Sequence, residues 1–158
     1  MRLFVAVWPP DDVIEQLRAL PRPETPGVRW SGEEQWHVTL RFLGDVDDVG
    51  EVVDALSGVN EPATQVEVGP ATTRLGHAVL MLPVRGLDSL SRALPLDLDK
   101  PFRGHLTVAR AKNKQDVPRS MEGTQFAATW TATSFALVRS QTRPSGAIYT
   151  NVETFPLR

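Results

Sequence analysis

The order of apolar and polar residues along the chain predicts strands and helices in alternation. Leu3, Phe4, Val5, Val7 and Trp8 form a β-branched and aromatic run, as in a buried strand, and Pro9-Pro10 ends it. Asp11-Asp12 opens a segment in which Val13, Ile14, Leu17 and Leu20 recur at helical spacing, with Pro21 and Pro23 as the stop. After a Pro- and Gly-rich connection over 21–27, Gln35 to Leu43 reads as a strand ended by Gly44. Asp48-x-x-Glu51 then resembles a capping box for a helix carrying Val49, Val52, Val53 and Leu56. Gln65 to Val68 and Ala78 to Leu82 are strand-like runs that form a hairpin or lie side by side. Leu87, Leu90 and Leu94 suggest a short helix closed by Pro95, and Arg103 to Ala111 reads as another strand. The remainder (126–131, 133–139 and 147–155) is β-rich, broken by Arg143-Pro144-Ser145-Gly146, and predicts a terminal meander.

One short pattern occurs twice. His37-Val38-Thr39-Leu40 and His105-Leu106-Thr107-Val108 are copies of His-aliphatic-Thr-aliphatic, 68 residues apart. By chance a given histidine is followed this way in only about a few cases per thousand, so two copies carry information that one would not. No linker or low-complexity tract divides the chain. Residues 1–158 are therefore expected to form one domain of two related lobes, each contributing one copy.

Composition narrows the chemistry. The 158 residues suit one ordinary core, and the absence of cysteine excludes disulfide scaffolds, thiolate nucleophiles and Cys-type zinc or iron–sulfur sites. With 17 Lys plus Arg against 19 Asp plus Glu, a groove for extended duplex nucleic acid is not expected, whereas a small phosphate substrate is compatible. No stretch approaches the roughly 20 apolar residues of a membrane span, and the N-terminal run is too short for a signal segment, so a cytoplasmic protein without membrane contact is the default. Between Lys100 and Arg119, however, six basic residues (Lys100, Arg103, Arg110, Lys112, Lys114, Arg119) face one acid, Asp116. That segment surrounds the second copy of the motif; it is either the approach to a phosphate site or a solvated loop.

On a strand, His37 and Thr39 point to one face while Val38 and Leu40 point to the other, and the same holds for His105 and Thr107. Two imidazoles and two hydroxyls converging across a cleft suit displacement at phosphorus, which needs a base on the attacking oxygen and an acid on the leaving one. With an ordinary pKa of about 6.5, a pair of imidazoles can fill both roles near neutrality without a metal. Two inert strand histidines, or a metal site using His37, His105 and an acid such as Asp45, are the competing readings; no clustered ligand spacing supports the latter. His77 lacks the following threonine and is read as a strand-end histidine. Trp30, Trp36, Trp130 and Tyr149 are candidates for stacking a base or for packing.

These motifs give the chain a resemblance to a known family. Arg2-Leu3-Phe4-Val5-Ala6-Val7, Trp36 through Gly44, Pro101 through Arg110, and the ending from Leu137 through Gly146 and Tyr149 resemble the two-histidine phosphoesterases, in particular the LigT-like RNA 2′,3′-cyclic phosphodiesterases, also called 2′-5′ RNA ligases. The resemblance implies an α+β fold: bilobal, with two antiparallel sheets, helices packed outside, and pseudo-two-fold duplicated lobes around a central cleft. It implies hydrolysis of 2′,3′-cyclic phosphate on RNA 3′ ends or nucleotides to a 2′-phosphomonoester, with the reverse 2′-5′ ligation open and no cofactor or metal; a monomer is expected. His37 would be the proton donor and His105 the acceptor, with Thr39, Thr107 and Arg110 on the phosphate and Phe42 against the base.

Some points stay open. Phe42 and Arg110 both stand five residues after a histidine, and strict alternation turns both away from it; a bulge would return them, and otherwise Arg41 is the rival phosphate contact. Gly104 stands where the family commonly has proline, which suggests a more mobile backbone before His105, and the connection from Leu87 to Pro101 is short for the helix usual there. The alternatives in function are a phosphodiesterase for 2′-5′ oligonucleotides or ADP-ribose cyclic phosphate, and a binding module that holds nucleotides or RNA ends without turnover.

Overall fold

The computed structural model describes residues 1–98, 100–113 and 115–158, so Lys114 of the basic segment lies outside the described residues. The first strand, β1 (Arg2–Val7), is followed by α1 (Asp11–Arg18), the three-residue β2 (Val28–Trp30) and β3 (Val38–Asp45). Next come α2 (Val49–Ser57), β4 (Thr64–Val68), the short β5 (Thr73–Leu75) and β6 (Val79–Arg85). After α3 (Asp88–Ala93) and β7 (His105–Ala111), the chain closes with β8 (Ala128–Ala132), β9 (Ser134–Arg143) and β10 (Gly146–Pro156). Every pairing is antiparallel. The strand order β10-β9-β1-β3-β7-β6-β4-β8 divides into two four-strand halves, and β1-α1-β3 matches β6-α3-β7 about the centre.

The two expected sheets are thus halves of one hydrogen-bonded path. They meet between β3 and β7 at the pair Val38↔Leu106, both fully buried. The main core lies on one side of this path: Leu3, Val5 and Val7 of β1 pack there with Val38, Leu40, Leu82, Leu106 and Val108 and with Leu17, Leu56 and Leu90 of the helices. The alternate residues of β1, Phe4 and Ala6, are buried too, in a small cluster with Ala136 and Val138 beneath Trp8 and Tyr149. Burial on both faces explains why β1 reads as a continuous apolar run rather than a clean alternation. The Asp48 carboxylate caps α2 by accepting from the Glu51 N–H at 3.1 Å.

The sequence reading differs from the fold in a few places. β3 begins at Val38 rather than Gln35, because Glu33–Gln35 forms a single 3-10 turn, and it runs through Gly44 to Asp45. β2 and β5 are too short to leave a pattern. Gly104 does not loosen its surroundings: its carbonyl accepts from the Val84 N–H at 3.0 Å, and a Cβ on it would stand 2.3 Å from the Val84 oxygen. Among the described residues, no helix is long and apolar enough to cross a membrane.

Candidate active site

The pairing of Val38 with Leu106 sets the geometry of the site. In an antiparallel register the flanking positions fall opposite one another, so His37 stands across from Thr107, and Thr39 across from His105. The two histidines occupy one diagonal of this square and the two threonines the other, with diagonal neighbours roughly 7–8 Å apart. All four line one central recess together with Arg2, Phe4, Phe42, Arg110, Ser140 and Tyr149.

Both imidazoles are oriented the same way. Nδ1 of His37 donates to the Gln35 carbonyl oxygen at 2.6 Å, and Nδ1 of His105 donates to the Arg103 carbonyl oxygen at 2.8 Å. Each bond reaches back two residues, and each leaves Nε2 for the cleft. Nε2 of His37 lies 2.9 Å from Thr39 Oγ1, so with neutral imidazole the hydroxyl donates to it. Phe4, Trp8 and Tyr149 surround the His37 ring at centroid distances of 5.0, 5.6 and 5.2 Å. Burial in that aromatic nest lowers the His37 pKa to about 4, helped by the neighbouring His105 and Arg110 and opposed by the Gln35 hydrogen bond. The Tyr149 hydroxyl is pushed above its ordinary value by the same burial.

A bulge on each central strand decides the positions five residues beyond each histidine. Opposite β1, the register of β3 passes from Ala6↔Thr39 to Val5↔Arg41, leaving Leu40 over; opposite β6, that of β7 passes from Met81↔Thr107 to Leu80↔Ala109, leaving Val108 over. One extra residue per strand reverses the facing, so Phe42 and Arg110 return to the cleft. Arg41 does not. It turns away from the central recess, 4 % exposed and reaching only the wall of the His105–Thr39 side recess, and donates to the backbone oxygens of Ser91 and Asp97 at 2.6 and 3.3 Å and to that of Leu96. The reading of Arg41 as a phosphate contact on the His37 face is therefore corrected.

Two side recesses extend the centre in opposite directions. The one at the His37–Thr107 end carries Arg29, Ser31, Gln35, Arg110, Tyr149 and the tip of the β9–β10 hairpin at Gly146 and Ala147. The one at the His105–Thr39 end carries Phe42, Leu98, Lys100, Phe102 and Arg103. Symmetry-related in position, they differ in chemistry, the first polar and cationic apart from Trp30 and Tyr149 on its wall and the second aromatic with a basic rim. No carboxylate lines any of the three among the described residues, in a chain whose net charge is −2.

Of the other residues singled out in the sequence, His77 is exposed and bonded to Asp116 at 2.9 Å, outside the cleft. Trp36 and Trp130 are buried; Trp30 lines the His37–Thr107 recess with its indole N–H donating to the Pro23 oxygen, and Tyr149 lines that recess and the centre. Lys112 and Arg119 line none of the three recesses; Lys100, Arg103 and Arg110 do. Sequence reasoning missed Arg29 and Gln35. Nothing in Val28-Arg29-Trp30 marks it as a strand, and only tertiary pairing with β7 brings it to the site.

Comparison with known proteins points to one family. The family model LigT like Phosphoesterase matches residues 7–73. An RNA 2′,3′-cyclic phosphodiesterase of Thermus thermophilus is 30% identical, over 100% of this chain and 91% of its own length. A protein of the same name from Archaeoglobus fulgidus is 28% identical, over 98% and 99%. The crystal structure of E. coli LigT complexed with 3′-AMP superposes with a TM-score of 0.77 at 28% identity, over 99% of this chain and 97% of that one. The duplicated histidine motif, the symmetric sheet around it and a full-length relative at this identity lead to one conclusion: the chain belongs to the family of LigT-like phosphoesterases.

Proposed function

We propose that this protein hydrolyses the 2′,3′-cyclic phosphate of RNA 3′ ends or nucleotides to a 2′-phosphomonoester, with His37 as the acid and His105 as the base. The observation that carries the reading is the diagonal pair of imidazoles, each with Nδ1 tied to a backbone oxygen and Nε2 toward one recess. A phosphate over the Val38–Leu106 pair would meet an imidazole on either side and a threonine hydroxyl on each remaining corner. Water loses a proton to His105 Nε2 as its oxygen bonds to phosphorus. The P–O3′ bond breaks, and O3′ takes the proton from His37 Nε2. A 5′ hydroxyl in place of water gives the reverse-type reaction, a 2′-5′ linkage.

The unequal recesses support this division of roles. A base stacked on Phe42, at the His105 end, turns C1′ and O2′ toward that end and O3′ toward His37. His37 is neutral in the empty site, and the phosphate anion is what loads it: a negative charge in a poorly hydrated recess favours imidazolium. Once Nε2 carries a proton, Thr39 Oγ1 accepts from it, and the threonine proton is released toward a phosphate oxygen. Arg110 adds fixed positive charge where the pentacoordinate phosphorus is most negative.

The test uses a short RNA ending in 2′,3′-cyclic phosphate. A 2′-phosphate product is expected, with loss of at least about a hundredfold in kcat for His37→Ala and for His105→Ala. Sulfur in place of the bridging 3′ oxygen leaves without protonation, so it should restore His37→Ala and not His105→Ala. Undiminished turnover in both variants overturns the reading, and rescue of the opposite variant reverses the roles.

A further inference from the structure

In the polar recess, Arg29 of β2 and Arg110 of β7 are direct cross-strand partners. Side chains so paired share a face at about 4.5–5.5 Å, and like charges placed there repel. Neither guanidinium has a carboxylate partner among the described residues, although the chain has more acids than bases. One N–H of Arg29 donates to the Ser145 oxygen at the hairpin tip, which anchors the side chain over the recess and leaves most of its donors open. Gln35 fastens the same tip by donating to the Ala147 oxygen at 3.0 Å. An opposed cation pair facing a cleft, with one member tethered, is a site for anions, and two cations call for more negative charge than one cyclic phosphate carries.

We infer that Arg29, with Arg110 beside it, binds a second phosphate of the substrate: the one on the 5′ oxygen of the terminal nucleoside. This rests on the proposed reaction, and it follows from the same placement of the sugar. With the base at Phe42 and O3′ toward His37, C4′ and C5′ extend into the recess that Arg29 walls. Arg110 lines both that recess and the central one, so it lies between the two phosphates. The 5′-linked phosphate belongs either to a mononucleotide or to the next linkage of an RNA chain, and in both cases the group recognised is the same. The protein therefore selects phosphorylated or oligomeric ends over simple cyclic nucleosides.

Wild type, Arg29→Ala and Arg29→Lys are compared on three substrates: adenosine 2′,3′-cyclic phosphate, its 5′-phosphorylated form, and an adenylyl dinucleotide ending in 2′,3′-cyclic phosphate. In wild type, kcat/KM for at least one phosphate-bearing substrate should exceed that of the first by about tenfold or more, carried mainly by KM. The larger gain identifies the source of the phosphate. The ratio should fall toward one in Arg29→Ala and be largely kept in Arg29→Lys, which preserves the charge. A ratio near one in wild type, or one undiminished in Arg29→Ala, overturns the inference. If none of the substrates turns over, the proposed reaction fails while the site is still read by titration. Adenosine 3′,5′-bisphosphate should bind wild type about tenfold more tightly than 3′-AMP, and Arg29→Ala no more tightly; equal binding by wild type overturns the inference.

Discussion

Phe42 and Arg110 occupy equivalent places in the two halves of the sheet, each five residues beyond a histidine and each returned to the cleft by one extra residue on its strand. Equivalent position with opposite chemistry is what the proposed reading of an asymmetric substrate rests on. Phe42 is 71 % exposed, so Phe42→Ala should cost less than about 0.5 kcal/mol in urea unfolding. Its KM for a cyclic nucleotide should rise about tenfold, in line with the loss of one stacked base. An unchanged KM would remove the base from this recess.

The partly buried His37, enclosed by Phe4, Trp8 and Tyr149, makes stability depend on pH. Its folded pKa of about 4 lies below the roughly 6.5 of an unfolded histidine, so between these values the unfolded chain binds a proton that the folded chain does not. This contribution is complete above about pH 6.5 and declines as pH falls toward 4, by up to about 3 kcal/mol. Urea midpoints measured from pH 7 to pH 4 should fall more in the native chain than in His37→Gln. Phosphate in the cleft should shrink the difference.

Arg41 holds the end of α3 and the segment after it, and that segment carries Leu98, Phe102 and Arg103 of the aromatic recess. Arg41→Met would keep much of the volume and leave three carbonyl oxygens without this donor, at a cost of roughly 2–4 kcal/mol. Because the Arg103 oxygen orients His105, kcat should fall as well as KM rise, which a purely structural loss measured at full folding would not produce.

Gly104→Ala sets a Cβ against the Val84 oxygen at 2.3 Å, a backbone contact that no rotamer relieves. The strand pairing around Pro83↔His105 must shift, at a cost of about 1–3 kcal/mol, read as a lower melting temperature. A variant as stable as the native chain would show this segment to be adaptable.

Turnover of a cyclic substrate should persist in EDTA. The three recesses offer imidazole, hydroxyl and cationic side chains but, among the described residues, no carboxylate to complete a metal shell. Loss of activity on chelation, restored by a divalent ion, would oppose the two-histidine mechanism.

Much of this was legible in the residues alone. The repeated His-x-Thr fixes which faces meet, because a strand's period of two leaves no freedom, and the helical spacing of Val13, Leu17 and Leu56 locates the outer layer. What escaped was whatever departs from the period. A bulge has no sequence mark of its own, so alternation places Arg41 beside His37 when the extra residue Leu40 in fact turns it toward the backbone at and after the end of α3. Arg29 escaped for a different reason: a three-residue strand acquires meaning only from its partner on β7.

The single pair Val38↔Leu106 joins the halves directly behind the reacting groups. A join in that place behaves like the rivet of a pair of shears. The rims are not free blades, however: Arg29 of β2, which pairs with β7, bonds the hairpin tip, and Arg41 of β3 bonds the segment after α3, so each rim is tied across the join and the two imidazoles beside the rivet are held at one spacing. The spacing of the four motif side chains is thereby set at the centre, while the residues that make the two side recesses differ lie outside it.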